Sequence, residues 1–286
     1  MIPAAFSYQR PATLDEALRI IGADPGAKLL AGGQSLLPLM KLRMASPESL
    51  VDIGRLAELK GIRPLDDGRL AVGALTTYAE LLESPARHYG VLRDAIPMIG
   101  DVQVRNRGTV GGAIAHSDPA SDLPACLLAL DAEVLLRSAT GQRTAKVDGF
   151  FNGAFETAME PGEILIEVRL PAARDDAGSA YASLDQPASG YSMVGVAVVV
   201  FVDDARRIVG GNVALTGVGD HPYRATAVEA ALVGSDGSTG SMAAAAAHAI
   251  DGVAVNSDIH ADRAYRSEMA IVYTRRALEA AFARTA

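Results

Sequence analysis

The clearest periodicity in the chain is the segment ILIEVRL, Ile164–Leu170. Ile164, Ile166, Val168 and Leu170 would share one face of a strand, and Leu165, Glu167 and Arg169 the other. Leu165 is then an apolar residue on a polar face. It is either an ordinary exposed leucine or a leucine lying against a flat ligand. Helical spacing is clearest after two capping pairs. Thr13 with Glu16 precedes the stripe Leu14, Ala17, Leu18, Ile21, and Thr77 with Glu80 precedes a helix through Leu82. Residues 89–99, 125–130, 225–232, 242–250 and 263–283 also read as helices. The last would turn Met269, Val272, Tyr273, Ala277 and Ala280 to the core. Short strands are expected at 28–31, 51–53 and 132–137, with a pair inside 61–75 and a hairpin of 194–202 with 208–218. A polar connector at 171–178 marks the main boundary. The division is 1–57, 58–174 and 175–286.

Two glycine-rich stretches interrupt this pattern. Residues 108–124 read GTVGGAIAHSDPASDLP, and residues 31–35 read AGGQS. Each follows an apolar segment and offers backbone N–H groups that no large side chain shields. Successive amides of this kind form an anion nest, and a helical turn beginning near Ala113 would add its positive end. The plain alternative in both places is a turn rich in small residues. Neither stretch matches the dinucleotide-fold fingerprint or the P-loop. Asp118 and Asp122 follow at i, i+4 and could accept hydrogen bonds from sugar or polyol hydroxyls. Arg105 and Arg107 stand just before the second stretch and could serve phosphate or make surface ion pairs.

Composition narrows the classes of function. With 286 residues and 49% hydrophobic content the chain can bury a large core. It has no tryptophan, so Ala, Val, Leu and Ile must build that core. The formal charge is −8 and no basic run is present, which argues against a nucleic-acid partner. The single cysteine, Cys126, cannot form an internal disulfide or hold an iron–sulfur cluster by itself. No apolar run reaches membrane-spanning length, and MIPAAFSYQR does not read as a signal peptide. The expected location is the cytoplasm, with attachment to the inner face of the membrane through a larger complex as the further option.

Taken together, AGGQSLLPLMKLRM, VDIGRL, the block from Gly100 through TVGG to Pro124, EPGEILIEVRLP and SDIHADRAYR resemble the FAD-binding medium subunits of molybdenum hydroxylases, the xanthine dehydrogenase family. The resemblance spans nearly the whole chain and is nearest to the medium subunits of aerobic carbon monoxide dehydrogenases. It implies an α+β fold: a two-part FAD-binding domain of the vanillyl-alcohol-oxidase (PCMH) type, then a smaller domain of sheet plus helices. By the same resemblance, Ala31, Gly32, Gly33, Gln34 and Ser35 hold the FAD pyrophosphate together with Thr109, Val110, Gly111, Gly112 and Ala113. Asp122 contacts the ribityl or ribose region, Ile99 lies near the adenine, Leu165 lies over the isoalloxazine, and Tyr191 lies beside it. Lys28, Leu30 and Ser117 complete the implied set. One departure stands out. The family often carries Lys-x-x-Arg-Arg shortly before the tyrosine, whereas residues 183–191 here read SLDQPASGY.

The implied activity is electron relay. Substrate is oxidised at a molybdenum–pterin cofactor in a large subunit, and two [2Fe–2S] clusters in a small subunit pass electrons to FAD. The flavin hands them to a quinone or dye, in a complex expected as a dimer of heterotrimers. No residue of this chain is expected to be catalytic or to bind metal, and His116 is read as structural. The competing readings are a hydroxylase subunit for a nicotine-like heterocycle, purine or aldehyde, a stand-alone FAD oxidoreductase, and an assembly protein that has lost flavin.

Overall fold

A computed structural model describes residues 1–285. The first sheet is parallel and small. β1 (Ser7–Gln9), β2 (Ala27–Leu30) and β3 (Ser49–Asp52) lie in the order β1-β3-β2. Parallel neighbours need crossovers, and α1 (Leu14–Ala23) and α2 (Leu36–Lys41) supply them. Thr13 caps α1 by accepting from the Glu16 N–H, while the Glu16 carboxylate reaches back to the Ala12 N–H. Leu14, Ala17 and Leu18 then pack on Val51 and Ile53.

The second sheet is antiparallel, in the order β4-β5-β10-β6-β7. Its hairpin β4 (Ile62–Pro64) and β5 (Leu70–Gly73) comes first in the chain. Five short helices follow: α3 (Tyr78–Leu82), α4 (Gly90–Ala95), α5 (Val102–Arg105), α6 (Val110–His116) and α7 (Asp122–Ala129). Thr77 and Glu80 form a full capping box on α3. Next come β6 (Glu133–Arg137), β7 (Gln142–Lys146) and a small hairpin of β8 (Phe151–Gly153) with β9 (Glu156–Thr157). The central strand β10 (Ile164–Leu170) completes the sheet. Helix α7 is buried along its whole length, including Cys126.

The strict alternation read into β10 is broken. A β-bulge lies between Leu165 and Glu167 where β10 pairs with β6. One extra residue reverses the facing of everything before it. Leu165 therefore joins Val168 and Leu170 in the core of the second sheet, while Ile164 and Ile166 pack against the first-sheet core. Leu165 is 4% exposed, so the expectation of an apolar residue on an open polar face fails.

The third sheet, β11-β12-β13-β14, is also antiparallel, built from β11 (Ala177–Asp185), β12 (Ser192–Val202), β13 (Ile208–Thr216) and β14 (Tyr223–Arg224). Its strands alternate between two partners. Tyr181, Ala197, Val199 and Ala214 join the core that contains α7. Ala180, Val196, Val198 and Val200 face α8 (Thr226–Leu232), α9 (Thr239–Ala246) and α10 (Arg263–Phe282). The buried face of α10 is Arg266, Ala270, Thr274, Ala277, Leu278 and Ala281, rotated from the expected stripe. Small residues win that face because β11 and the helix approach closely: a Cβ on Gly178 would sit 2.0 Å from the Ala281 carbonyl oxygen.

Candidate cofactor site

The link from β2 to α2 is an open row of donors. Among the described residues, no acceptor meets the backbone N–H of Gly32, Gly33, Gln34 or Ser35. Ser35 caps α2 without using its hydroxyl in the cap, and Gln34 Nε2 reaches the Gly32 carbonyl at 3.4 Å. Gly33 has φ +76°, where a side chain would be strained. A Cβ on Gly32 would lie 2.0 Å from the Arg107 carbonyl oxygen, so the two glycine stretches touch backbone to backbone. Unpaired, half-buried amides in a row are what an oxyanion needs.

The second stretch is built differently from the expectation. It is the first turn of α6 itself, capped by Thr109, and most of its amides are already paired. Val110 N–H donates to the Thr76 carbonyl at 2.9 Å and Gly111 N–H to the Ala74 carbonyl at 2.8 Å. Gly112 N–H donates to Thr109 Oγ1 at 3.2 Å and Ala113 N–H to the Thr109 carbonyl at 3.0 Å. Of these five amides, the Thr109 N–H alone finds no acceptor among the described residues. Gly111 is small because α6 rests on Ala74: a Cβ there would lie 2.5 Å from the Ala74 methyl. The Val110 side chain is core. This stretch shapes the floor of the site, with Gly112 beside Ala31, and adds few donors.

The other expected residues have the following surroundings. Ser117 is fully buried, with φ 51°, and its hydroxyl donates to the Glu156 carbonyl at 3.2 Å, away from any open surface. Arg105 braces the preceding turn by donating to the carbonyls of Pro97, Ile99 and Gly100, so the phosphate role considered for it is not supported. Ile99 ends that turn half-buried, Leu30 is half-buried at the end of β2, and Lys28 is exposed on that edge strand. His116 stacks at 5.0 Å from the Phe155 ring, and burial holds its imidazole below the usual pKa.

Asp122 opens α7 at 5% exposure. Ser192 Oγ donates to its Oδ1 at 2.6 Å, and Tyr181 Oη donates to the same oxygen. Among the described residues, no other residue donates to Oδ2, yet that oxygen is not sealed from solvent. Burial pushes the Asp122 carboxyl up to about 6, against the lowering effect of the two hydroxyls. Tyr191 is 48% exposed, and a cleft of about 320 Å³ opens beside it, lined by Asp118, Phe155, Asn256, His260 and Arg266. Arg266 is 3% exposed and ties this wall together, donating to the carbonyls of Met193 and Gly217 and to Asp258.

Tyr181, Ser192 and Arg266 were not legible as site residues. Tyr181 and Ser192 lie in a stretch, 179–193, to which the sequence assigns no element, and Arg266 sits in a helix read as packing. The hint available was the pairing of a polar residue with small neighbours, Gly195 above all, in an otherwise apolar strand.

The open amides of residues 32–35 and an Asp122 oxygen that accepts from no other described residue are groups suited to a pyrophosphate and to hydroxyls, both of which FAD carries. Comparison with known proteins agrees. Residues 4–173 match the family described as the FAD binding domain in molybdopterin dehydrogenase, and residues 179–281 match the CO dehydrogenase flavoprotein C-terminal domain. The chain is 39% identical to the carbon monoxide dehydrogenase medium chain of Hydrogenophaga pseudoflava, covering 100% of both. It is 35% identical to the glyceraldehyde dehydrogenase medium chain of Sulfolobus acidocaldarius, over 98% of this chain and 99% of that one. A solved structure of the Hydrogenophaga pseudoflava carbon monoxide dehydrogenase, lacking the Mo-pyranopterin moiety, superposes with TM-score 0.95 at 41% identity over 100% of both chains. With both of its domains matched and its relatives aligned end to end, the chain belongs to the FAD-binding medium subunits of the molybdenum hydroxylases.

Proposed function

We propose that this chain is the relay subunit of a carbon monoxide-oxidising complex. It would receive electrons from two [2Fe–2S] clusters of a small subunit and deliver them to an external quinone. The molybdenum centre would lie in a large subunit, and the whole would be a cytoplasmic dimer of heterotrimers. The observation that carries the substrate is the full-length likeness to a carbon monoxide dehydrogenase medium chain. When bound, FAD supplies a redox centre that exchanges one or two electrons. The chain's own residues bind and orient. Amides 32–35 would hold the pyrophosphate, Asp122 would accept from a hydroxyl of the sugar or ribityl part, and Tyr191 would stand at the flavin.

The test is co-expression with the neighbouring genes and anaerobic addition of carbon monoxide. Flavin bleaching by carbon monoxide, reversed by a quinone or dye, supports the reading. Bleaching only by an aldehyde, purine or nicotine-like heterocycle reassigns the substrate. Turnover by the isolated chain overturns the relay and makes it a stand-alone oxidoreductase. Gel filtration of the complex tests the stoichiometry, and cell fractionation tests the location.

A further inference from the structure

The carboxylate of Asp122 belongs to the FAD-binding domain, but the groups that hold it belong to the C-terminal domain. Tyr181 lies on β11 and Ser192 at the start of β12. Both hydroxyls go to Oδ1, and Ser192 Oγ lies also 3.1 Å from Asp185 Oδ1. Two donors on one oxygen hold that oxygen in place and, among the described residues, leave Oδ2 without a donor from any other residue. Tyr181 reaches Asp122 only because it crosses a glycine. A Cβ on Gly195 would lie 2.0 Å from Tyr181 Oη and 3.0 Å from its ring. Gly195 does not have a positive φ, so the backbone there does not need glycine; the crossing ring does. Ser192 also lines the 320 Å³ cleft beside Tyr191, which puts the clamp at the wall of the site.

We propose that Tyr181 and Ser192 are positioning residues. They clamp one oxygen of Asp122 so that the other is presented to a hydroxyl of the cofactor, and the C-terminal domain thereby completes the FAD site. The proposal rests on the reading of Asp122 as a cofactor contact. The clamp also keeps the carboxylate ionised. Asp122 faces Tyr78 from α3, Cys126 from its own helix, Asp185 from β11 and Tyr191 before β12, and Asp118 lies close to Tyr78 and Tyr191. None of these is a cation, so the two hydroxyls are the side chains that favour the charged form.

The experiment is FAD titration of the flavin-stripped full chain from pH 5 to pH 8, followed by flavin fluorescence, with melting temperature recorded in parallel. Wild type is expected to lose affinity as the pH falls through about 6. In Tyr181→Phe and in Ser192→Ala the inflection is expected to move up by about one pH unit, with Kd raised roughly twofold at pH 7 and roughly tenfold at pH 5. Asp122→Asn is expected to flatten the profile, which separates this titration from that of His116. Wild-type binding with an unmoved inflection in both clamp variants overturns the clamp alone, even if their melting temperatures fall. Failure of the wild type to bind FAD overturns the cofactor site and the clamp with it.

Discussion

Gly32 and Gly33 do different physical work although they are adjacent. Gly33 needs its positive φ, whereas Gly32 needs the missing side chain so that the loop can lie on the Arg107 carbonyl. Gly32→Ala is therefore expected to push the two glycine stretches apart, at a cost of about 1–3 kcal/mol, and to abolish FAD retention while circular dichroism stays native. Gly141→Ala, where a methyl meets nothing within 4 Å, is the matched control and should retain FAD in full. Asp122 illustrates the opposite tension, between stability and binding. Its carboxyl titrates near 6 in the folded chain, above its unfolded value of 3.8. The folded state thus binds the proton more tightly, and this contribution is complete below the unfolded pKa and is lost as pH rises through about 6. Asp122→Asn should therefore stabilise the FAD-free chain at pH 7 by about 2–3 kcal/mol, with the gain vanishing near pH 4 in urea unfolding. The same variant should bind FAD more weakly.

Among the elements, β10 and α10 each carry one local irregularity that sets what they face. In β10 it is the bulge before Glu167, which lets one strand serve two cores. In α10 it is Arg266, a guanidinium on an otherwise small-residue face. Its partners are the Met193 and Gly217 carbonyls, 2.7 and 2.6 Å away, at the ends of β12 and β13 nearest the cleft. Arg266→Met would leave those two acceptors unpaired, each worth about 1–3 kcal/mol when buried. A lower melting temperature is expected, together with a shifted 450 nm flavin band, because Met193 lies two residues from Tyr191. An unchanged melting temperature would show that water replaces the guanidinium.

At the scale of the whole molecule, the C-terminal sheet is a structural wall of the FAD-binding domain. Thr216 Oγ1 donates to the carbonyls of Pro119 and Ser121, Gly217 N–H donates to Pro119, and Asn212 Nδ2 donates to Ala129. These bonds run to the segment around α7, the same segment that presents Asp122. At the two glycine stretches covalent attachment of FAD has no suitable nucleophile. Residues 31–35 and 109–113 contain neither His nor Cys, and Cys126 is fully buried, its thiol pushed well up by that burial. Acid precipitation of the flavin-loaded chain should therefore leave a colourless pellet and a yellow supernatant. A yellow pellet would place a covalent bond in the site.

By itself, the sequence determined the family, the α+β class and many of the elements, but not the strands at Gln142–Lys146, Phe151–Gly153, Glu156–Thr157 and Ala177–Asp185. What it determined depends on short-range signals: capping pairs at Thr13 and Thr77, turn residues at Asp66-Asp67-Gly68, and two glycine motifs whose order along the chain is specific. It also singled out Gly32, Gly33, Gln34 and Ser35 as candidate donors, which the fold leaves unpaired because β2 ends before α2 begins. What the sequence did not show is where each hydrogen bond goes. TVGG looks as open as AGGQS, yet the carbonyls of Ala74 and Thr76 arrive from a distant hairpin and take its amides. Leu165 changes face through a bulge that a period-two pattern cannot reveal. Tyr181, Ser192 and Arg266 acquire roles only when the third sheet docks, because Asp122 and the Met193 and Gly217 carbonyls that they bond lie 49 to 73 residues away along the chain. Pairing across such distances is decided by tertiary packing, which satisfies some local donors and leaves the others for a ligand.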